Sequence, residues 1–100
     1  MIVDRRTFLV KPGHEADVVD LIKAGIEGIT PYTGAYRIYV PDIGPYGMVV
    51  VEWEHEDLQE MRAAYATWEA SPDIEQFWEQ WHTLTERGGG EEIWKLAAQR

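Results

Sequence analysis

The centre of the predicted sheet is the stretch GMVVVEWE, residues 47–54. Its middle, Met48 to Val51, is apolar at four consecutive positions, which is typical of a strand with both faces covered. The segment Ala35 to Val40 alternates, with Tyr36 and Ile38 on one face of a second strand. The turn-forming residues 41–46, PDIGPY, separate the two segments. The pattern therefore predicts a β-hairpin.

The segment before this hairpin predicts a strand followed by a helix. Residues 2–11 are rich in β-branched and aromatic residues and stop at Pro12-Gly13, a turn signal. The helix is predicted over residues 14–28, because apolar residues recur there at helical spacing, and Pro31 ends the pattern. These apolar residues are Val18, Leu21, Ile22, Ile26 and Ile29.

The segment after the hairpin predicts a helix in two parts and a closing strand. Ser71-Pro72 interrupts the helical pattern that begins near Glu56, with Ser71 as an N-cap candidate and Pro72 at the first position of the next helix. Residues 91–97 predict a strand after the glycines at 88–90. The order β-α-β-β-α-β predicts an α+β, ferredoxin-like fold with an antiparallel sheet and the helices on one face.

Composition limits the classes of function. The 100 residues fit one domain, residues 1–100, and the net charge of −9 disfavours binding to nucleic acid. Basic residues are scattered, so no anionic membrane surface is expected as a partner, and no window is apolar enough to span a bilayer. The absence of cysteine favours a reducing compartment, and we expect a cytoplasmic protein.

Three segments carry a resemblance to a known superfamily: residues 6–13, residues 47–53 and residues 68–73. With these segments the chain resembles the dimeric α/β-barrel proteins, and within them NIPSNAP-like and antibiotic-biosynthesis-monooxygenase-like domains. The resemblance implies a homodimer, the two sheets packing face to face, and a cavity between sheet and helices that binds a small apolar or aromatic molecule. Relatives include cofactor-independent oxygenases, lactone isomerases and haem-degrading proteins, so fold alone does not select a reaction.

Aromatic residues are the candidates for binding such a ligand. Tyr65, Trp68 and Trp78 belong to an aromatic stripe along the two helical segments, and planar apolar ligands stack on such groups. Trp94, in the last strand, is a fourth candidate. Either Trp94 or Trp53, depending on register, is expected on the sheet face that a second copy covers. The alternative is that most of these aromatic residues form the core.

Three polar residues are candidates for catalysis. His82 follows Trp78 by four residues on one helical face, which makes it a candidate general base or haem ligand. The alternative is an imidazole at the edge of the helical stripe that bonds to a neighbour or to water. Arg37 lies within a strand and is expected to pair diagonally with Glu52, at the dimer interface or beside a ligand. Tyr39 shares its face and is expected to donate a proton or a hydrogen bond to such a ligand. No cofactor and no metal site are expected, because the histidines do not have metal-ligand spacing.

The sequence leaves three functions open. The first is binding of a small apolar or aromatic molecule without chemistry. The second is a cofactor-independent monooxygenase or isomerase acting on an aromatic or enol substrate, which requires a polar group converging on the cavity. The third is binding or degradation of haem through His82. Whether the protein is an enzyme is not decided by its sequence.

Overall fold

A computed structural model describes residues 1–29 and 32–100. Pro31, predicted to end the first helix, lies outside these residues. The predicted βαββαβ order is confirmed, with the second helix in two parts. The elements are β1 (Ile2–Leu9), α1 (Glu15–Ala24), a π-helical turn (Gly25–Ile29), β2 (Tyr36–Tyr39), β3 (Met48–His55), α2 (Leu58–Glu69), α3 (Ile74–Leu84) and β4 (Gly90–Lys95).

The four strands form one antiparallel sheet in the order β2-β3-β1-β4. Strand β3 lies between β2 and β1, as its apolar run predicts, and it buries Val49 and Val51 completely on one face. The helices cover one face of the sheet, here called the helix face, which carries the even-numbered residues of β1 and the odd-numbered residues of β3. The other face, here called the open face, carries Val3, Arg5, Thr7, Val50 and Glu52 among others.

The core lies between the helix face and two helices. Helix α1 buries Val18 and Ile22, and Ile26 continues the same stripe in the π-helical turn. Helix α3 buries Phe77 and Trp81, while its opposite face stays exposed. Both apolar stripes therefore face the sheet as the sequence predicts.

The junction of α2 and α3 differs from the prediction. Helix α3 begins at Ile74 with Asp73 as its N-cap residue, so Ser71 is not the N-cap and Pro72 is not the first helical residue. The Ser71 hydroxyl instead accepts a hydrogen bond from the Asp73 amide at 3.3 Å. The short side chain of Ser71 bonds to the backbone two residues further along, which stabilises a turn before the helix rather than the helix end.

Register assigns the two ambiguous tryptophans to opposite faces. Trp53 pairs with Asp4 and lies on the helix face. Trp94 pairs with Val3, which puts it on the open face with 57% of its surface exposed. Gly89, just before β4, has φ +94° and lies so close to the Thr7 carbonyl that a Cβ would collide with it. This close approach brings the chain back alongside β1.

Candidate functional site

On the helix face, a cavity of about 520 Å³ lies beneath α2 and α3. Its lining is mainly apolar and includes four of the five tryptophans. Trp53 comes from β3, Trp68 from α2, and Trp78 and Trp81 from α3. A sheet packed against a broken helix thus surrounds this space with aromatic rings.

The aromatic rings at the end of α2 and in α3 hold one another in place. The Trp68 ring meets the Phe77 ring edge to face, with 4.7 Å between centroids, and Phe77 stacks on Trp81 at 5.7 Å. Gly25 makes room for this cluster, because a Cβ there would lie 2.8 Å from Cη2 of Trp68. Such edge-to-face and stacked pairs favour one arrangement of the rings. The cavity wall is therefore built from rings with few alternative positions.

The polar end of the cavity is formed by Arg6 and two carboxylates. Nη2 of Arg6 lies 3.1 Å from Asp4 and 2.6 Å from Glu91. Asp4 is 3% exposed, and an unpaired carboxylate there would be costly. Burial opposes the guanidinium charge, but Asp4 and then Glu91 outweigh it, and the pKa of Arg6 is raised above its usual value. The ion pairs therefore keep this group charged within the fold.

Two aromatic rings hold the same guanidinium. Cζ of Arg6 lies 5.7 Å from the Trp53 ring and 5.2 Å from the Tyr65 ring. A guanidinium within about 6 Å of an aromatic face is attracted to the ring electrons. Tyr65, on α2, and Trp53, on β3, thus fix Arg6 from the helix side and from the sheet side.

Beside this cluster, His55 lies at the end of β3 and is 7% exposed. Its Nδ1 is buried and has no hydrogen-bond partner in the structure as described. The Tyr32 ring packs against the imidazole, with 5.6 Å between centroids. The Tyr32 hydroxyl donates to the carbonyls of Glu54 and Ala35, and burial raises the pKa of Tyr32 to about 12. His55 lines the cavity, and one of its ring nitrogens is not hydrogen-bonded in the structure as described.

The open face carries a row of charges with alternating sign. Arg37, Glu52, Arg5 and Glu92 follow one another across β2, β3, β1 and β4. Arg5 binds Glu52 at 2.8 Å. The Trp94 indole donates to Glu92 at 2.8 Å. Each of these side chains thus has a partner on its own face.

Arg37 does not pair with Glu52 as predicted. The two residues are directly opposite in register rather than diagonal, and Arg37 reaches Glu54 at 3.1 Å instead. Glu52 is engaged by Arg5 and accepts a hydrogen bond from the Tyr39 hydroxyl at 3.1 Å. Burial and this bond raise the pKa of Tyr39. One carboxylate with two partners explains why Arg37 binds the diagonal neighbour.

Comparison with known proteins identifies the family. The NIPSNAP family model matches residues 3–88. The chain belongs to the NIPSNAP family. This confirms the resemblance from the sequence, and none of the curated proteins matches the chain.

Solved structures show which proteins share the fold of this NIPSNAP chain. Protein Atu4242 from Agrobacterium tumefaciens is 24% identical with a TM-score of 0.84, and the match covers 97% of this chain and 94% of that one. An uncharacterized NIPSNAP-like domain protein from Burkholderia xenovorans is 23% identical with a TM-score of 0.84, and the match covers 99% of this chain and 88% of that one. A protein described as an antibiotic biosynthesis monooxygenase is 19% identical with a TM-score of 0.69, and the match covers 98% of this chain and 100% of that one. At these identities the likeness shows a common ferredoxin-like fold.

The structure divides the seven site residues predicted from the sequence of this NIPSNAP chain. Three of them, Tyr65, Trp68 and Trp78, line the cavity. The other four lie outside it: Arg37, Tyr39 and Trp94 on the open face, and His82 on the exposed side of α3.

Three of these positions follow from local geometry, and that of Trp94 follows from the pairing of β4 with β1. Tyr36 and Ile38 face the helices, so the alternation of β2 turns Arg37 and Tyr39 to the other side. His82 is exposed, and its ring stacks on Trp78 with 6.2 Å between centroids. His82 therefore does not line the cavity, and the expectation that it points there is wrong.

Sequence reasoning did not assign to the cavity the residues that make the polar end of this NIPSNAP site. Asp4 and Arg6 are two residues apart in β1 and share a face with Phe8, a signal that period-two alternation contains. His55 continues the alternation of Trp53 by two residues. Glu91 is brought to Arg6 by the pairing of β1 with β4, which no local pattern in the sequence predicts.

Two further properties concern classes of site. In the described ranges, 1–29 and 32–100, no helix is long and apolar enough to cross a membrane. Within those same ranges, His, Asp and Glu residues do not cluster in threes suited to holding a metal ion.

Proposed function

We propose that this NIPSNAP protein binds a small apolar or aromatic molecule in the cavity under α2 and α3. The observation that supports this proposal most strongly is the cavity itself, about 520 Å³ with four tryptophans in its wall. Ligand sites of about 300–1,000 Å³ with mainly apolar walls and a few polar groups are typical of proteins that bind small molecules. Trp68 and Trp78 are only half-buried in the chain alone, so a ligand would cover them.

The tryptophans provide a test with an internal control. Indole N–H signals in a two-dimensional ¹H–¹⁵N spectrum report on all five, of which four line the cavity and Trp94 lies on the open face. Naphthalene, as a planar apolar probe, is expected to shift the four cavity signals and leave that of Trp94 unchanged. Shifts confined to Trp94, or none at all, would contradict the proposal.

A pair of neighbouring alanines on α2 supplies matched variants. Ala64 lines the cavity and Ala63 is exposed. Ala64→Phe places a ring inside the cavity and is expected to reduce the naphthalene shifts strongly, whereas Ala63→Phe adds the same ring outside and preserves them. Equal effects of the two variants would place the binding elsewhere.

A cofactor-independent oxygenase or isomerase is the second candidate, because Arg6 and His55 bring polar groups to an aromatic cavity. The predicted catalytic residues His82, Arg37 and Tyr39 lie outside the cavity, so this chemistry would depend on the other two. Incubation with an oxidisable naphthol separates the candidates: binding alone leaves the compound and dissolved oxygen unchanged, and oxygenation consumes both.

Binding of haem is tested by titration with haemin. If His82 is a ligand of haem, an absorption band is expected with the unmodified chain and is lost in His82→Ala.

We propose further that two copies pair through their open faces. Trp94 and Tyr39 are 57% and 45% exposed there, and covering them removes apolar surface from water. The charge row reads plus, minus, plus, minus across the sheet. A two-fold axis parallel to the strands reverses this order, so that Arg37 faces the partner's Glu92 and Glu52 faces the partner's Arg5. The face is therefore complementary to itself in this orientation.

Charge reversal tests the dimer. Sedimentation equilibrium is expected to show a dimer for the unmodified chain and weaker association for Arg37→Glu, which puts like charges opposite each other. The double variant Arg37→Glu with Glu92→Arg is expected to restore association. A monomer at every concentration would contradict the dimer, and failure of the double variant would contradict the proposed axis.

We propose also that residues 1–100 act as one domain in the cytoplasm. One cluster of buried residues joins α1, the π-helical turn, β3 and α3, together with Val10 just after β1. The chain has no cysteine, which suits a reducing compartment. A single cooperative unfolding transition and a fluorescent fusion distributed through the cytoplasm are the expected results.

A further inference from the structure

We propose that the ligand is an uncharged molecule with an apolar body and a hydroxyl group that hydrogen-bonds to His55. This inference rests on the proposed cavity-binding function and specifies the ligand chemistry that the cavity selects. It follows from which polar groups at the cavity already have partners and which do not.

His55 is the group with unmet hydrogen-bonding capacity. It lines the cavity, is 7% exposed, and its buried Nδ1 lacks a partner in the structure as described. The neighbouring Tyr32 does not supply one, because its hydroxyl hydrogen-bonds to the Glu54 and Ala35 carbonyls and not to His55. A buried polar nitrogen without a hydrogen bond destabilises the protein. Nδ1 is closed off in the ligand-free chain, so a ligand hydroxyl reaches it when the imidazole turns toward the cavity, and the hydroxyl then supplies the missing hydrogen bond.

At the Arg6 end of the cavity a charged ligand finds no free partner, and the other two charged lining residues, Arg62 and Glu69, are exposed residues of α2. Asp4 and Glu91 already bind Arg6, so this guanidinium is neutralised before any ligand arrives. Five charged residues line the cavity, three acidic and two basic, which leaves a net charge of −1. A carboxylate ligand would meet this negative excess after losing its hydration. An ammonium ligand would find Asp4 and Glu91 both occupied by Arg6.

A hydroxyl suits His55 better than a group that only accepts or only donates. Each imidazole nitrogen is a donor or an acceptor according to the tautomer, and a hydroxyl can both donate and accept. It therefore bonds to His55 in either form, whereas a ketone oxygen matches only a donor. The aromatic walls cover the apolar body of such a ligand.

Three probes of one shape test the inference: naphthalene, 2-naphthol and 2-naphthoate, titrated while the cavity indole signals are followed. We expect 2-naphthol to bind about 3- to 10-fold more tightly than naphthalene, as for one net hydrogen bond. We expect 2-naphthoate to bind more weakly than naphthalene. In His55→Phe the advantage of 2-naphthol disappears while naphthalene still binds. In His14→Phe, a control at a histidine whose side chain is 43% exposed, the advantage remains.

The outcomes separate this inference from the proposal on which it rests. If naphthalene shifts the cavity indoles but 2-naphthol binds no more tightly, cavity binding stands and the role of His55 is refuted. If neither compound shifts them, both are refuted. Should His55→Phe not fold, imidazole ¹⁵N shifts of the unmodified protein decide: 2-naphthol must change those of His55 more than naphthalene does, and unchanged His55 shifts overturn the inference.

Discussion

Replacing Arg6 with methionine is expected to destabilise the protein by about 3 kcal/mol, the lower end of the range for breaking a buried ion pair. The substitution leaves the Asp4 carboxylate, 3% exposed, without its guanidinium. The lower end applies because a quarter of the Arg6 side chain is exposed and admits water. Glu91 contributes little to the loss, since its half-exposed carboxylate can be hydrated.

A matched control is provided by Arg37. It also lies in a strand and binds a carboxylate at 3.1 Å, the same distance as Arg6 to Asp4, but its side chain is 53% exposed. Water and salt screen such a pair, so Arg37→Met is expected to leave the stability nearly unchanged. Any effect of Arg37→Met through a dimer would vary with protein concentration, and the effect of Arg6→Met would not.

Urea unfolding followed by tryptophan fluorescence measures both variants. A loss of about 3 kcal/mol lowers the urea midpoint by about 1–3 M. Adding Asp4→Asn to Arg6→Met is expected to recover about 2 kcal/mol, because a neutral amide is cheaper to bury than an unpaired carboxylate. Equal losses for Arg6→Met and Arg37→Met, or no recovery in the double variant, would refute the reasoning.

Three further predictions use the same unfolding assay. Gly25→Ala is expected to cost about 1–2 kcal/mol by overpacking against the aromatic cluster, whereas at Gly28 a Cβ meets nothing within 4 Å and alanine is expected to be neutral or stabilising. Asp57→Ala is expected to cost about 1 kcal/mol, because the Asp57 carboxylate caps α2 at 2.9 Å, while Asp73 makes no side-chain cap bond and its alanine variant changes little. Between pH 10 and about 12 the unfolded chain has lost a proton that folded Tyr32 keeps, so stability falls as pH rises, and Tyr32→Phe is expected to flatten this slope.

The fold was largely predictable from the sequence because its signals are local. The apolar run at residues 48–51 indicated an interior strand, and Val49 and Val51 are fully buried. The helical stripe through Phe77 and Trp81 indicated which side of α3 meets the sheet. Each signal depends on spacing along one element, which the chain itself fixes.

The site was less predictable because it depends on pairing between elements. Register decides that Trp94 lies on the open face and that Glu91 meets Arg6. His82 was misplaced because a position four residues after Trp78 is close to that ring without being on the buried side of the helix. Spacing alone does not say whether an edge position turns inward or outward.

Arg6 on the helix face and Arg37 on the open face each bind a carboxylate at 3.1 Å, but only the carboxylate that Arg6 binds is buried. The pair on the helix face therefore has a structural role. On the helix face, Arg6 is matched by Asp4 and Glu91 and held between two rings, so its charge is used within the fold. A ligand that took Arg6 away from Asp4 would leave the Asp4 carboxylate buried without a positive partner, which is costly. Specificity is therefore better assigned to His55, which packing leaves unsatisfied, than to the charged group that packing has already satisfied.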